Sequence, residues 1–503
     1  MKKLIFIIVA LTAVLTLFHC NPADGNGSSD NRLTLRSISP EAKVFQSPSF
    51  ILTVNGTNFS PGAIILFNGI EKETAYVNST ELTCQIEPDD ITIRLTEGLY
   101  HIRSSVYQNE IITVRVRNPQ DEGVYSNTLN FTILSNFSFS TPIWISLTPE
   151  DSRYPHIAID ITGNINVVWQ DSLPGFHDIY FTRSTDGGRN WSEYRNISDF
   201  PGDFRRPAVA IDGDGGIHVV FYDNTDNYRD LYFLRSGDGG VTWAQPKNIS
   251  NNPGGNYDPA IAIDSSGNIC VAWTDDTPGR RDIYFSRSTD SGVTWIPVKN
   301  ITNSPVPSNS PDIAVDTSGN INLIWVNEIN SNHVIYFSRS TDSGATWSPA
   351  GNISPPSHYC EYPAITVDST ANTGNIYAVW QGAAGNSLPD IFFRSSDDGG
   401  VTWSDEQNFS WGNDPDIVID RAGNIIVTWI FEFADFEIYF SRSPDGGVTW
   451  TPRESIINSL SDFETPAIAV ESNGNIHVVW GYYTVDNRIQ TYYCRSTENG
   501  GNP

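Results

Sequence analysis

PAIAIDSSGNICVAW (259–273), followed by DIYFSRS (282–288) and STDSGVTW (288–295), is the clearest copy of a phrase that runs through most of the chain. Pro155, Pro207, Pro259, Pro311, Pro363 and Pro415 stand 52 residues apart and Pro466 follows after 51, each heading the same four-part unit. The closing turn recurs as STDGGRNW (184–191), SGDGGVTW (236–243), STDSGATW (340–347), SDDGGVTW (396–403) and SPDGGVTW (443–450), with a decayed seventh copy, STENGGNP, at 496–503.

A fixed period of this length marks an array in which one supersecondary unit buries its faces only against its neighbours. The unit is all strand. IAID alternates large and small residues, INVVW (165–169) and IHVVW (476–480) alternate around an aromatic, and IYFSRS (283–288) is a third strand, each bounded by Asp, Gly, Asn or Pro. A weaker fourth strand ends at Asn196–Ser198, Asn248–Ser250 or Asn300–Thr302. Four short strands per repeat, with no helical pattern between them, describe a β-propeller blade, and seven repeats predict seven blades. Alanine beside isoleucine in the first strand fits an innermost position, where blades converge and large side chains have no room. The last repeat stops at Pro503 before a fourth strand can form, whereas TPIWISLTPEDSRYP (141–155) matches the fourth strand and exit loop of the others. Residues 141–149, with Trp144 and Ile145-Ser146, are therefore expected to complete the seventh blade as a closing strand that covers its open edge.

Residues 1–20, MKKLIFIIVALTAVLTLFHC, have two lysines, a short apolar run and a cysteine, the layout of a secretory signal. Leu17 three residues before Cys20 resembles a bacterial lipoprotein signal, which implies cleavage before Cys20 and a diacylglycerol on its sulfur. The expected location is outside the cytoplasm, lipid-anchored to the cell envelope at the outer membrane or cell surface. Residues 21–32 are polar and glycine-rich and read as a flexible tether.

Residues 33–136 break from the repeat and read as a separate β domain of ordinary size. Ile38-Ser39-Pro40, Val54-Asn55-Gly56-Thr57-Asn58-Phe59, Gly62, Phe67-Asn68-Gly69, Val77-Asn78-Ser79-Thr80-Glu81-Leu82, Asn118-Pro119 and Ser126-Asn127 together resemble the immunoglobulin-like IPT/TIG domain. That resemblance implies a sandwich used as a spacer or in protein contacts. The fold class expected for the whole chain is all-β, an immunoglobulin-like sandwich followed by a seven-bladed propeller over 141–503.

The formal charge of −28 argues against nucleic acid and against an anionic bilayer surface as partners, the lipid anchor excepted. Cys84, Cys270 and Cys494 fall on separated strands and Cys360 in a loop, so no disulfide is expected. A monomer without a cofactor is the expected state. Ca²⁺ needs six to eight oxygens, and the acid/Gly turns at Asp160, Asp212, Asp264, Asp316, Asp368, Asp420 and Glu471 read instead as capped hairpins.

S-x-D-x-G-x-x-W resembles the Asp-box, or BNR repeat, of sialidases and other secreted propellers. The physical reading of Asp186, Asp238, Asp290, Asp342, Asp398 and Asp445 is scaffolding: each carboxylate accepts N–H groups inside its own turn. The sialidase resemblance implies an arginine triad on the sugar carboxylate, a tyrosine nucleophile activated by a glutamate, and an aspartate acid/base. Phe204-Arg205-Arg206-Pro207 resembles the segment that supplies the first arginine, with Arg206 where isoleucine is expected, which makes Arg205 the candidate clamp and Asp223 or Asp230 the candidate acid. Sister repeats fill the same slot with SRYP, NYDP, CEYP and FETP, and arginine closes the third strand of every repeat, so recurring residues read as ring-builders.

The variable loops are the better place to look for recognition, because the second-to-third-strand and blade-to-blade connections open together on one face. Arg205, Tyr222, Arg229, Trp411, Phe431, Tyr482 and Tyr483 are the candidate ligand contacts. Aromatic rings interspersed with Arg and Asp suit a surface glycan or a protein. The expected function is a cell-surface binding protein, with an exo-acting, sialidase-like glycoside hydrolase as the alternative.

Overall fold

The computed structural model describes residues 33–498 apart from 40–41, 45–49, 68, 88–108, 120–124, 135–136, 174, 226–228, 278, 331, 369–373, 385–386, 433–435, 460–461, 485 and 487. The expected signal, its Cys20 and the tether lie outside the described residues. Among those described, no helix is long and apolar enough to cross a membrane.

Two sheets make up residues 33–134. One runs Thr34–Ser39, Phe50–Thr57, Glu81–Ile86, Thr74–Asn78, and the other Ala42–Val44, Leu129–Leu134, Asn109–Arg117, Ile64–Phe67, Ile70–Lys72. Alternate residues face inward, so Leu52, Val54, Ile65, Phe67, Leu82, Ile86, Val114 and Val116 are all buried. The asparagines of the sequence pattern serve the turns: Asn118 donates to the Asn58 carbonyl at 3.0 Å and accepts the Ser60 N–H at 3.1 Å.

From residue 152 the chain forms seven sheets among the described residues, numbered here one to seven in chain order. Sheet three is representative, with antiparallel strands Asn256–Ile263, Ile269–Asp275, Asp282–Ser288 and Lys299–Asn300. The first strand of each sheet lies against the first strands of its two neighbours, and Ser152–Ile159 of sheet one meets Phe463–Val470 of sheet seven. These strands therefore surround a central channel. At the seam, Ile143 and Trp144 pair with Tyr493 and Tyr492 of sheet seven. Phe137–Phe139 adds to the same strand, Phe139 opposite Ser496, so the pairing begins earlier than residue 141. Ile145, Ile157, Trp169, Val479 and Tyr493 bury one apolar cluster across this junction.

Sheets two to six are mortared to the sheets before them by the Asp-box aromatics, and sheet one to sheet seven. Phe181 meets Trp243 edge to face at 5.3 Å, Phe233 meets Trp295 at 5.2 Å, and Tyr493 meets Trp191 at 4.9 Å. Gly292 shows why the box carries glycine: its φ is +87°, and a Cβ there would stand 2.1 Å from the Phe233 ring of the preceding sheet. Within the box, Thr294 donates its N–H (2.7 Å) and hydroxyl (2.6 Å) to Asp290, and the Ser288 hydroxyl donates at 2.8 Å. The first hairpin is capped in the same way, Asp264 accepting the N–H groups of Ser266 and Asn268 at 2.9 Å. Third-strand arginines bind these caps, Arg183 to Asp160 at 3.0 Å and Arg339 to Asp316 at 2.9 Å.

Cys84, Cys270, Cys360 and Cys494 are buried and none of the four is in a disulfide. Cys360 lies in strand His358–Val367 and not in a loop, because this first strand starts earlier than its sisters and pairs with an extended partner, Ile376–Ala384.

Candidate functional site

Strand register separates the two ends of the ring. Ile263 pairs with Ile269, which pairs with Ser288, so the first hairpin and the Asp-box share one end. Asn256, Asp275 and Asp282 sit together at the other, where the first strands begin and the variable loops open.

At that end every first strand carries a β-bulge, visible as a register shift between the residue two before the proline and the residue after it. The residue immediately before each proline is left-handed: Tyr154 (φ 52°), Arg206 (47°), Asp258 (46°), Ser310 (51°), Tyr362 (49°), Asp414 (47°) and Thr465 (35°). None is glycine, and such a conformation costs about 1–3 kcal/mol per residue and persists only where its surroundings enforce it. The preceding sheet does so at three positions. Gln170 accepts the Arg206 N–H at 3.0 Å, Thr274 that of Ser310 at 3.1 Å, and Gln381 that of Asp414 at 3.1 Å. A bulge re-aims the side chain it carries, and here it turns these residues toward one another around the channel mouth.

Arg206 is central to this ring. Its Nη1 lies 2.7 Å from Asp258 Oδ1 in the next sheet, and its guanidinium sits 4.7 Å over the Tyr154 ring in the previous one. Burial opposes its charge, yet Asp258, Tyr154, Tyr222 and Tyr362 together hold its pKa above the ordinary value. Tyr362 is three sheets away, so the ring converges on the axis. Across the mouth, burial and the Glu432 carboxylate push Asp414 up to about 6. One layer deeper, His156, Asp312 and Asp416 alternate with alanines such as Ala208 and Ala364, and each polar member ties one sheet to the next. Asp312 accepts the Ile365 N–H at 2.8 Å, Asp416 the Ile468 N–H at 2.9 Å, and His156 Nδ1 the Val209 N–H at 3.4 Å.

The residues expected from sequence lie at this end of the ring, some near the mouth and Trp411 at the outer edge. Arg205 donates from Nε and Nη2 to Asp203 Oδ2 at 3.1 and 2.9 Å. Against the effect of burial, hydrogen bonds from Asn224, Arg205 and His177 hold Asp203 at about 2. Arg229 donates to Asn224 Oδ1 at 2.6 Å and stacks 4.3 Å over Tyr257, beside which Tyr222 is 8% exposed. Asp223 accepts the N–H groups of Asp203 (3.0 Å) and Thr225 (2.9 Å), while Asp230 begins the third-strand edge and gives its carbonyl to the Asp223 N–H at 2.9 Å. Tyr483 donates to Glu464 Oε1 at 3.0 Å, the oxygen that also receives Arg153 Nη1 at 3.0 Å. Tyr482 packs on Phe463 and Tyr492, Phe431 lies beneath Arg453, and Trp411 pairs with Asp390 at the outer edge of sheet five.

Two aromatic faces were not singled out by the sequence reading. Tyr359 and Tyr362 belong to the lengthened first strand of sheet five and are 41% and 45% exposed. Tyr359 is fixed from two directions: its ring stacks on His333 at 4.1 Å and its hydroxyl donates to Glu361 Oε1 at 3.1 Å. His333 Nδ1 lies 3.2 Å from the same oxygen. His333 comes from an extended hairpin of sheet four, in which Glu328 pairs with His333 and Ile329 with Asn332. The signal for the ring was in plain view, since the slot before each proline is the one place in the phrase where Tyr, Arg, Asp, Ser and Thr replace one another. Among the described residues, no three His, Cys, Asp or Glu side chains are grouped to hold a metal ion.

Residues 165–374 match the BNR repeat-like domain and residues 33–133 the IPT/TIG domain, so the chain carries both. No curated protein matches it. Among solved structures, an ulvan lyase from a polysaccharide lyase family is similar at 13% identity over 71% of this chain and 93% of its own, with a TM-score of 0.50. A Hadza microbial sialidase is similar at 17% identity over 76% and 77%, with a TM-score of 0.44. An α-L-arabinanase of Penicillium chrysogenum, complexed with arabinobiose, is similar at 14% identity over 72% and 98%, with a TM-score of 0.44. At these identities the likeness is one of fold.

Proposed function

We propose that this BNR repeat-like propeller, carried behind an IPT/TIG domain, recognises a glycan at its channel mouth, outside the cytoplasm and tethered to the envelope through Cys20. The observation that carries the reading is the ring of seven left-handed residues before the prolines, where backbone geometry is kept and side-chain chemistry varies. Backbone strain of this kind clusters at ligand-binding sites, and here it aims Tyr, Arg, Asp, Ser and Thr side chains at one mouth. Tyrosine faces interleaved with carboxylates and guanidinium groups supply what a sugar needs, a flat apolar surface for its C–H face and polar atoms for its hydroxyls. The ulvan lyase that shares the fold is a polysaccharide-acting protein by its name, and the proposal extends that ligand class to this chain.

A hydrolase reading has one observation in its favour, the Tyr483 hydroxyl bound to Glu464 beside Arg153, which is the kind of pair a sialidase-like mechanism requires. Recognition is favoured because Arg205 is engaged by Asp203, and Asp223 is spent on the N–H groups of Asp203 and Thr225. Incubating the full chain with a fluorogenic sialoside decides between them. No turnover, with binding on a glycan array, supports recognition; turnover abolished by Tyr483→Phe or Arg205→Ala replaces it. The anchor is tested separately by detergent-phase partition, which Cys20→Ser should abolish.

A further inference from the structure

Three guanidinium groups at the mouth are already matched to carboxylates of the chain itself, while a fourth, Arg229, is bonded to the Asn224 amide and stacked on Tyr257. Arg206 holds Asp258 at 2.7 Å, Arg205 holds Asp203 at 2.9 Å, and Arg153 holds Glu464 at 3.0 Å and Asp151 at 3.3 Å. An acidic sugar entering here has to take a guanidinium from its partner and leave a partly buried aspartate or glutamate facing the ligand's own negative charge. Asp414 and Glu432, on the far side of the mouth, crowd each other and add to that repulsion. The same carboxylates are good acceptors for sugar hydroxyls, which bring a proton and no charge.

The aromatic faces divide in a complementary way. Tyr154 is covered by Arg206 and Tyr257 by Arg229, whereas Tyr359 and Tyr362 are open. Tyr359 is held rigid by His333 and Glu361, so little rotamer freedom is lost when a ring settles on it.

We infer that the mouth takes an uncharged, hydroxyl-rich glycan seated on the Tyr359 face, and discriminates against sugars bearing carboxylate or sulfate. This rests on the glycan-binding reading above and adds the ligand class. Asp258 is then a specificity-determining residue, because its pairing with Arg206 removes the charge that an acidic sugar would seek.

The test uses the full-length chain and probes that differ chiefly in charge: oligogalacturonates and sialyllactose, each as free acid and as methyl ester, with a neutral oligosaccharide array beside them. Neutral and esterified probes should bind more tightly than their acidic counterparts. Tyr359→Ala should weaken that binding on the order of tenfold, with Tyr359→Trp restoring it. Asp258→Asn, which frees Arg206, should shift preference toward the free acids while leaving the thermal unfolding profile close to that of the parent. Acidic probes bound as well as or better than neutral ones by the unaltered chain overturn the inference and leave glycan binding standing. Unchanged neutral binding in a folded Tyr359→Ala overturns the platform. If no probe of either charge binds, the broader reading falls with it.

Discussion

Arg206 and Asp258 occupy the same position in consecutive repeats, and Arg206 Nη1 lies 2.7 Å from Asp258 Oδ1. The pair exists because each first strand bulges at that position and turns the residue before its proline toward the channel. Their side chains are 40% and 27% exposed, which sets a modest energy. A double-mutant cycle of Arg206→Ala and Asp258→Ala in urea should give a coupling of about 1 kcal/mol. Additive losses would mean that the two residues do not act as a pair.

The channel carboxylates make stability fall with rising pH. Burial pushes Asp312 up to about 7 and Asp416 up to about 6, although each accepts two backbone N–H groups. Their folded values lie above the ordinary 3.8, so the fold binds more protons than the unfolded chain between these limits. Their contribution is complete below about pH 4 and is lost as pH climbs through 6 to 7. The Tm of the parent should therefore drop more between pH 5 and pH 8 than that of Asp312→Asn/Asp416→Asn. Parallel curves from scanning calorimetry would rule this out.

The Asp-boxes act in the opposite sense. Asp290 is held at about 2, chiefly by the Thr294 hydroxyl and N–H, and Asp238, Asp342 and Asp398 are held at about 2 by the equivalent threonines. Depressed values stabilise the fold above the ordinary 3.8, and the effect disappears as pH falls toward 2. Asp290→Asn should lower Tm at pH 7, converge with the parent in acid, and leave glycan binding intact because the box lies at the end opposite the mouth. A change in affinity at unchanged stability would place recognition at the wrong end of the ring.

Ring closure is testable at Ile145, which is 3% exposed in the seam cluster, next to Trp144, which is 42% exposed. Ile145→Ala should cost about 2–4 kcal/mol in urea unfolding, the usual range for a large-to-small change in a packed core. Trp144→Ala should cost markedly less. A loss well under 1 kcal/mol from Ile145→Ala would show that the seam core does not depend on this segment.

Much of this architecture was legible in one dimension, because a propeller writes the same constraints into every repeat. The four-strand unit, the turn role of Asp290 and the scaffold role of Arg183 follow from local hydrogen bonding that recurs with the 52-residue period, whereas the partner of Arg183, Asp160, is seen only in the structure. The candidate contacts Arg205, Tyr222 and Arg229 lie at the variable-loop end of the ring for the same reason. Tyr222 nonetheless sinks beside Tyr257, since an aromatic in a variable loop can pack as readily as project.

Sequence alone determined the repeating strand pattern, the scaffold residues and which end of the unit is variable, since these depend on contacts within a repeat or with an identical neighbour. Only the tertiary structure decided that Arg206, Asp258, Tyr362 and Asp414 converge, and that Tyr359 is locked by His333 from another sheet. A bulge changes a side chain's direction without changing its spacing in the chain. Convergence on an axis is a property of the closed ring, so no single repeat contains it.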